Sequence, residues 1–316
     1  MKVKYMSSGG ETKDITSLCS SIRWSGDMHQ AARKLELQII SPAFDGSIPR
    51  VEAKPGEKII LLDDDGQEIF QGYVFTREKS LSQQSLNIQC YDGLIYLTKS
   101  KASYNFSRMS AEEITGKVCG EIGVLKGKLA DTGISQSLII MDKSPYEIIT
   151  AAYENAGVHT GKKYVVLFRK GRLDVLEKGE DEVSCVLDHR TNISNSQYGE
   201  SIENMINRVM VYDENGNMKT KVDSQEWVKS FGVLQSSYKK EAGKDANTVA
   251  KSMLKGLERK GKLEAIGNTK CVTGSAIKIK EPHSGLEGIF YISSDTHTWQ
   301  DGKHTMDLTL DFEKMK

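Results

Sequence analysis

Apolar and polar positions alternate with a period of two through the first third of the chain, the pattern of a strand with one buried face. "EKIILLDDDGQEIFQGYVF" reads as an apolar strand, an acidic turn at Asp63-Asp64-Asp65-Gly66 and a returning strand. "SLNIQCYDGLIYL" adds a third alternating run that closes the set. A sheet or barrel over Met1 to about Lys99 follows. Near Ser100 the period changes. Ser110-Ala-Glu-Glu113 and Ser144-Pro145-Tyr146-Glu147 are both capping boxes, the second with proline at the first helical position. The first predicts a helix that carries Ile114, Val118 and Ile122 and stops near Gly123. The second predicts one that carries Ile148, Ile149, Ala152 and Ala156 and stops at Gly157. "KYVVLFRKGRLDVL" then predicts a hairpin turning at Lys170-Gly171.

From about Thr191 the β pattern returns, with a hairpin signal at Asn215-Gly216. One helix is predicted over 246–259, with Val249, Met253, Leu254 and Leu257 on its apolar side and Gly261 as its end. "SAIKIK", "GIFYISSDTHTW" and "HTMDLTLDF" supply three last strands. The expected fold class is α+β, mainly β. Its parts are an N-terminal β domain over 1–100, an α+β module over 101–190, and a C-terminal β domain over 191–316 that contains the helix. The two β regions share a pattern. Gly56 precedes one strand and Gly72 opens the next; Gly274 precedes one strand and Gly288 opens the next. Chance recurrence of glycine-flanked strands and a true duplication both remain open at this point.

The stretch 286–299, "LEGIFYISSDTHTW", concentrates the side chains that could carry chemistry. Strict alternation places Tyr291, Asp295, His297 and Trp299 on one face and Phe290, Ile292, Thr296 and Thr298 on the other. A two-residue turn at Asp301-Gly302 then sets Trp299 opposite His304 and His297 opposite Met306. A metal would need a third and fourth ligand, and beyond Asp295 no further histidine or cysteine stands nearby in sequence. These residues, Tyr291, His297, Trp299 and His304, are therefore expected to serve packing or an interface, with no cofactor and no metal. Asp63-Asp64-Asp65 does not fit a calcium loop, because Gly66 comes too early and Ile69 stands where a ligand belongs. No G-x-S-x-G, Walker loop, G-x-G-x-x-G or H-E-x-x-H occurs.

Charge and cysteine content narrow the classes further. The 43 basic and 43 acidic residues cancel, so no global field draws the chain to nucleic acid or an anionic membrane. Lys244, Lys251, Lys255 and Arg259 line one helix without interleaved aromatics, the pattern of a solvated face. Cys19, Cys90, Cys119, Cys185 and Cys271 form no C-x-x-C pair and are expected as buried thiols in a reducing cytoplasm. No apolar run is long enough for a membrane span.

"ITSLCSSIRWSGDMHQAARKLELQI", "KPGEKIILLDDDGQEIFQGYVF" and "IQCYDGLIYLTKS" resemble the N-terminal part of the XkdQ/YqbQ-type proteins of defective Bacillus prophages and clostridial phage-tail-like particles. "GLEGIFYISSDTHTWQDGKHTMDLTLDF" is similar to the end of the wider baseplate-hub group, which includes the contractile-tail hub of T4-like phages and the hub part of type VI secretion spikes. The resemblance implies two tube-type β-barrels per chain, separated by the α+β module. It also implies a homotrimer whose pseudo-sixfold ring joins a hexameric tail tube to a trimeric spike. The implied partners are the chain itself, the tail tube protein, the central spike protein and other baseplate proteins, including a LysM-type tail protein. No membrane and no sequence-specific nucleic acid are among them. The implied place is a virion or phage-tail-like particle made in the bacterial cytoplasm. A second expectation is a tail-associated peptidoglycan hydrolase or wall-binding module, because "SPYEIITAAYENAG" is similar to the first helix of a wall-binding repeat. Against it stand the missing acid pair and the missing repeats.

Overall fold

The computed structural model describes residues 1–42, 45–177, 185–241 and 245–312. By its internal contacts the chain forms two compact units, one of residues 1–196 with 262–316 and one of residues 197–261. The first unit begins with β1 (Lys2–Met6), β2 (Thr12–Asp14), β3 (Cys19–Asp27), β4 (Gln30–Ile40), β5 (Lys58–Leu62), β6 (Glu68–Ser80) and β7 (Ser85–Asp92), then α1 (Leu94–Lys99). Alternation is kept inside these strands: Leu35, Leu37 and Ile39 of β4 meet Leu86, Ile88 and Cys90 of β7 in one apolar core.

The next residues form β8 (Ala102–Met109), α2 (Ala111–Ile122), β9 (Lys126–Leu129), β10 (Gln136–Lys143), α3 (Pro145–Thr160), β11 (Tyr164–Arg169) and β12 (Arg172–Glu177). Both capping boxes are formed. Ser110 and Ser144 each accept from the backbone of the glutamate three residues on, and each glutamate reaches back to the cap. α2 ends at Gly123 in the left-handed conformation, as the sequence predicts. α3 runs past Gly157 to a left-handed Gly161. Gly157 is kept for proximity: a Cβ there would stand 2.6 Å from the Lys162 carbonyl oxygen. The hairpin at Lys170-Gly171 forms with both residues at positive φ.

After β13 (Cys185–Asp188) and β14 (Ile193–Ser201) comes the small second unit. It holds β15 (Arg208–Tyr212), β16 (Met218–Asp223), α4 (Gln225–Phe231), β17 (Gln235–Lys239) and α5 (Ala246–Ser252) around Val209, Val211, Tyr238 and Ala250. Two expectations are corrected here. The helix expected over 246–259 stops at Ser252, because Ile206 and Lys255 exchange backbone hydrogen bonds and Gly256 lies against the Trp227 ring. α4 is an additional helix. Its Ser224 cap accepts from Trp227, and without a glutamate at that position it carries no capping-box signature. Lys244 lies outside the described residues.

The chain finishes with β18 (Glu258–Ile266), β19 (Ala276–Glu281), β20 (Leu286–Gln300) and β21 (Lys303–Asp311). Residues 258–261, Gly261 among them, are therefore strand and not helix end. In the largest sheet the strands follow the order β14-β18-β21-β20-β3-β4-β7-β6-β5-β1-β2, with β19 beside β20. This path is open, and the protein is mainly β with several sheets.

The two β regions repeat each other in register. Gly56 and Gly274 have φ of 88° and 87°. The Gly56 N–H donates to the Val74 carbonyl and Val74 N–H to Glu57; the Gly274 N–H donates to Ile292 and Ile292 N–H to Ser275. Lys58 faces Tyr73 as Ala276 faces Tyr291. Each partner pair is 218 residues apart, and the offset holds at the bulges, between Val74 and Thr76 and between Ile292 and Ser294. A shared register, a shared left-handed glycine and a shared bulge do not follow from glycine-flanked strands alone. Gly72 and Gly288 are not counterparts. Gly72 faces Ile59, whose counterpart Ile277 faces Phe290. Gly72 is small because a Cβ there would lie 2.5 Å from the Tyr91 carbonyl oxygen.

Candidate functional site

The β20–β21 hairpin has the predicted register, with Trp299 opposite His304, His297 opposite Met306, and Asp301-Gly302 as its two-residue loop. The predicted face is altered by the bulge. One extra residue at Ser293 reverses the alternation, so Ile292 joins Asp295 and His297 in the interior while Tyr291 turns to the other side. Strict alternation cannot anticipate a bulge. Tyr291 is thus separated from the other three residues.

Asp295 and His297 are fully buried, and Trp299 and His304 are partly so. Arg33, one strand beyond β3, reaches Asp295 with a two-pronged ion pair, Nη1 to Oδ1 at 2.9 Å and Nη2 to Oδ2 at 2.5 Å. Thr273 donates its backbone N–H and its hydroxyl to the same Oδ1, each at 2.6 Å. Burial alone would push the Asp295 carboxyl up. The Arg33 guanidinium, with help from His297 and Thr273, outweighs it and holds the group below its ordinary range. The Arg33 guanidinium also lies 4.1 Å above the Trp24 ring, a cation–π contact.

His297 Nε2 lies 3.1 Å from the Cys271 carbonyl oxygen and Nδ1 lies 3.1 Å from His304 Nε2. A carbonyl only accepts, so Nε2 carries the proton and Nδ1 accepts from His304 Nε2–H. Both rings are then neutral. Their basicity agrees: burial pushes both down to about 4, and the nearby Asp295 only partly offsets this for His297. Trp299 stacks on His304 with centroids 4.1 Å apart, and Trp24 stands 5.2 Å from His297.

Sequence reasoning missed Arg33, Trp24, Thr273 and Asp92. Arg33 had a signal, since it shares its parity on β4 with the buried Leu35, Leu37 and Ile39. Asp92 is fully buried, accepts from the backbone of Arg33 and Leu94, and is raised to about 7 by burial. A cleft of about 280 Å³ borders the cluster, with Arg33, Asp92, Glu68, Tyr146 and Phe168 in its walls. The arrangement clamps strands together. Both Asp295 carboxylate oxygens, both His297 ring nitrogens and His304 Nε2 are engaged with protein partners. Among the described residues no group of three or more His, Cys, Asp or Glu side chains is placed to hold a metal ion.

One expectation about the cysteines is corrected. Cys185 and Cys271 form a disulfide, and Cys19, Cys90 and Cys119 are free. The parallel pairing of β13 with β19 brings together two residues 86 positions apart, which no local spacing reveals. Among the described residues no helix is long and apolar enough to cross a membrane.

Comparison with known proteins places this geometry. The YqbQ-like family model matches residues 22–311. The chain is 27% identical over 313 residues to the phage-like element PBSX protein XkdQ of Bacillus subtilis, covering 95% of this chain and 94% of that one. Its fold is similar to that of the 43 kDa tail protein of prophage MuSo2 from Shewanella oneidensis, with a TM-score of 0.75 at 14% identity over 98% of both chains. It is also similar, with a TM-score of 0.53 at 10% identity over 92% of this chain and 73% of that one, to the E. coli c3393 protein. That protein is described as a type VI secretion component resembling T4 tail proteins gp27 and gp5.

Proposed function

Since the chain belongs to the YqbQ-like family, we propose that it is a structural hub protein of a phage-tail or phage-tail-like baseplate, joining a sixfold tail tube to a threefold spike. The coarser part of this reading is its phage-tail fold, shared with the tail and secretion-spike proteins above. The finer part is carried by one observation: the strand block around β5 and β6 recurs around β19 and β20 with the same register and the same bulge. A sixfold tube can seat on a threefold hub when each hub chain presents two similar faces. Three copies of a chain with two such blocks present six.

On this reading the two β blocks are tube-type barrel segments completed in the assembly, and the α+β module lies outside them. The partners are two further copies of the chain, the tube protein, the spike protein and neighbouring baseplate proteins. The Arg33–Asp295–His297 cluster has a mechanical purpose. It sits where β3 of the first block pairs with β20 of the second, and it locks that join with a buried, two-pronged ion pair. No catalysis is assigned to the chain.

The test is removal of the chain from the particle it belongs to. Particles made without it should have tube and spike unconnected, and the chain supplied separately should restore the join. Purified chain that releases soluble fragments from peptidoglycan would contradict the structural role and favour a hydrolase.

A further inference from the structure

The cleft beside the ion pair is walled from several elements: Trp24 on β3, Arg33 on β4, Glu68 and Ile69 on β6, Tyr146 on α3 and Phe168 on β11. All of them belong to one compact unit. The volume of about 280 Å³ stands at the small end of ligand pockets, which run from about 300 to 1,000 Å³. Among the described residues five buried side-chain nitrogen or oxygen atoms have no hydrogen-bond partner. Three of these, Trp24 Nε1, Arg33 Nε and Glu68 Oε1, belong to residues that line this cleft. Buried polar groups are ordinarily paired, because an unmade bond forfeits the bond to water without replacing it. Three such atoms at one cleft point to a common partner rather than to scattered faults of packing.

The kind of partner follows from what each atom can do. An indole N–H and a guanidinium N–H only donate, and a carboxylate oxygen accepts. The two donors are neighbours, because the Arg33 guanidinium stands 4.1 Å from the centre of the Trp24 ring. Glu68 Oε1 is bonded to neither of them. The partner must therefore bring an acceptor for one pair of groups and a donor for the other. Its charge is limited too. Asp295 already answers the charge of Arg33 through Nη1 and Nη2, and Glu68 opposes an anion. Arg33, Arg169 and Lys170 in the walls oppose a cation. Ile69, Tyr146 and Phe168 supply apolar and aromatic surface for the rest of the molecule.

We infer that this cleft binds a small uncharged molecule with a flat apolar body and an amide edge. Its carbonyl oxygen accepts from Trp24 and Arg33, and its N–H donates to Glu68. Bound there, the molecule ties β3 and β4 of the large sheet to α3 and β11. The site is built within one chain and does not rest on the hub reading above.

The experiment follows the indole N–H signals of the full chain, isotopically labelled at tryptophan, by nuclear magnetic resonance. The probe is carbostyril, a flat bicyclic lactam whose carbonyl and N–H lie side by side. The chain has three tryptophans, Trp24, Trp227 and Trp299, so Trp227→Phe and Trp299→Phe assign the Trp24 signal by elimination. The inference predicts a saturable shift of the Trp24 signal, with a Kd of about 1 mM or tighter for a probe of this size. The Trp227 signal, from the other compact unit, should stay in place. N-methylcarbostyril keeps the carbonyl and lacks the N–H, and it should bind at least about tenfold more weakly. Carbostyril should lose affinity by a similar factor for Glu68→Leu, whose fold is checked by unchanged Trp227 and Trp299 signals in the free variant. A Trp24 signal that carbostyril does not move would overturn the inference. So would equal affinity for the two probes, a comparison that needs no variant, or full affinity in a folded Glu68→Leu chain.

Discussion

Lowering the pH should loosen the β20–β21 hairpin through His297. Its ordinary basicity of 6.5 falls to about 4 in the fold, chiefly by burial. Between those values the unfolded chain holds a proton on this ring that the folded chain does not, so stability rises with pH across that window. The contribution is fully present above about 6.5 and is lost as the pH falls toward 4. The linkage relation gives a loss of about 2 kcal/mol from this ring between pH 7.5 and pH 5. The groups facing it are Asp295, Arg33 and His304. His304 is also lowered to about 4, by burial and then by His297, and acts in the same direction. Asp92, raised to about 7, changes stability in the opposite direction and must be subtracted. Comparison with His297→Gln does so, because the glutamine amide can still donate to the Cys271 carbonyl but does not titrate. Urea unfolding midpoints at pH 7.5 and pH 5 should show the unaltered chain losing about 2 kcal/mol more than the variant. Equal losses would refute the assignment of a buried neutral ring.

Further outcomes are expected from the same cluster and its surroundings. Arg33→Met leaves the Asp295 carboxylate buried with Thr273 alone, and urea unfolding at pH 7 should show a cost of about 3–5 kcal/mol. Adding Asp295→Asn to that variant should recover part of the loss, and a purely additive effect would contradict the ion pair. Ser110→Ala should cost about 1 kcal/mol in thermal or urea unfolding, through loss of the α2 capping box. Thiol titration of denatured, unreduced protein should find three reactive cysteines, rising to all five after reduction.

What could be read from the sequence was whatever local chemistry fixes. Hairpin turns at Lys170-Gly171 and Asp301-Gly302 were legible because positive φ at both loop positions selects those residues, and the one at Asn215-Gly216 because Gly216 takes the positive φ its turn requires. The two capped helices were legible because a serine and a glutamate three apart satisfy the same orphan N–H groups wherever they occur. What escaped depends on tertiary partners. The Ser293 bulge moved Tyr291 off the predicted face; backbone pairing at Lys255 ended α5 early; a parallel strand brought Cys185 to Cys271. The candidate cluster was half legible. Asp295, His297 and His304 stand within one hairpin, whereas Arg33 and Thr273 come from distant segments that only the folded sheet brings near.

The most direct measurement is the number and placement of this chain in an image reconstruction of the assembled particle at side-chain resolution. The hub account predicts three copies about the tail axis, with the β4–β7 and β18–β21 blocks alternating around the ring and Tyr164–Glu177 outside it. Six copies, or a single copy off the axis, would contradict it.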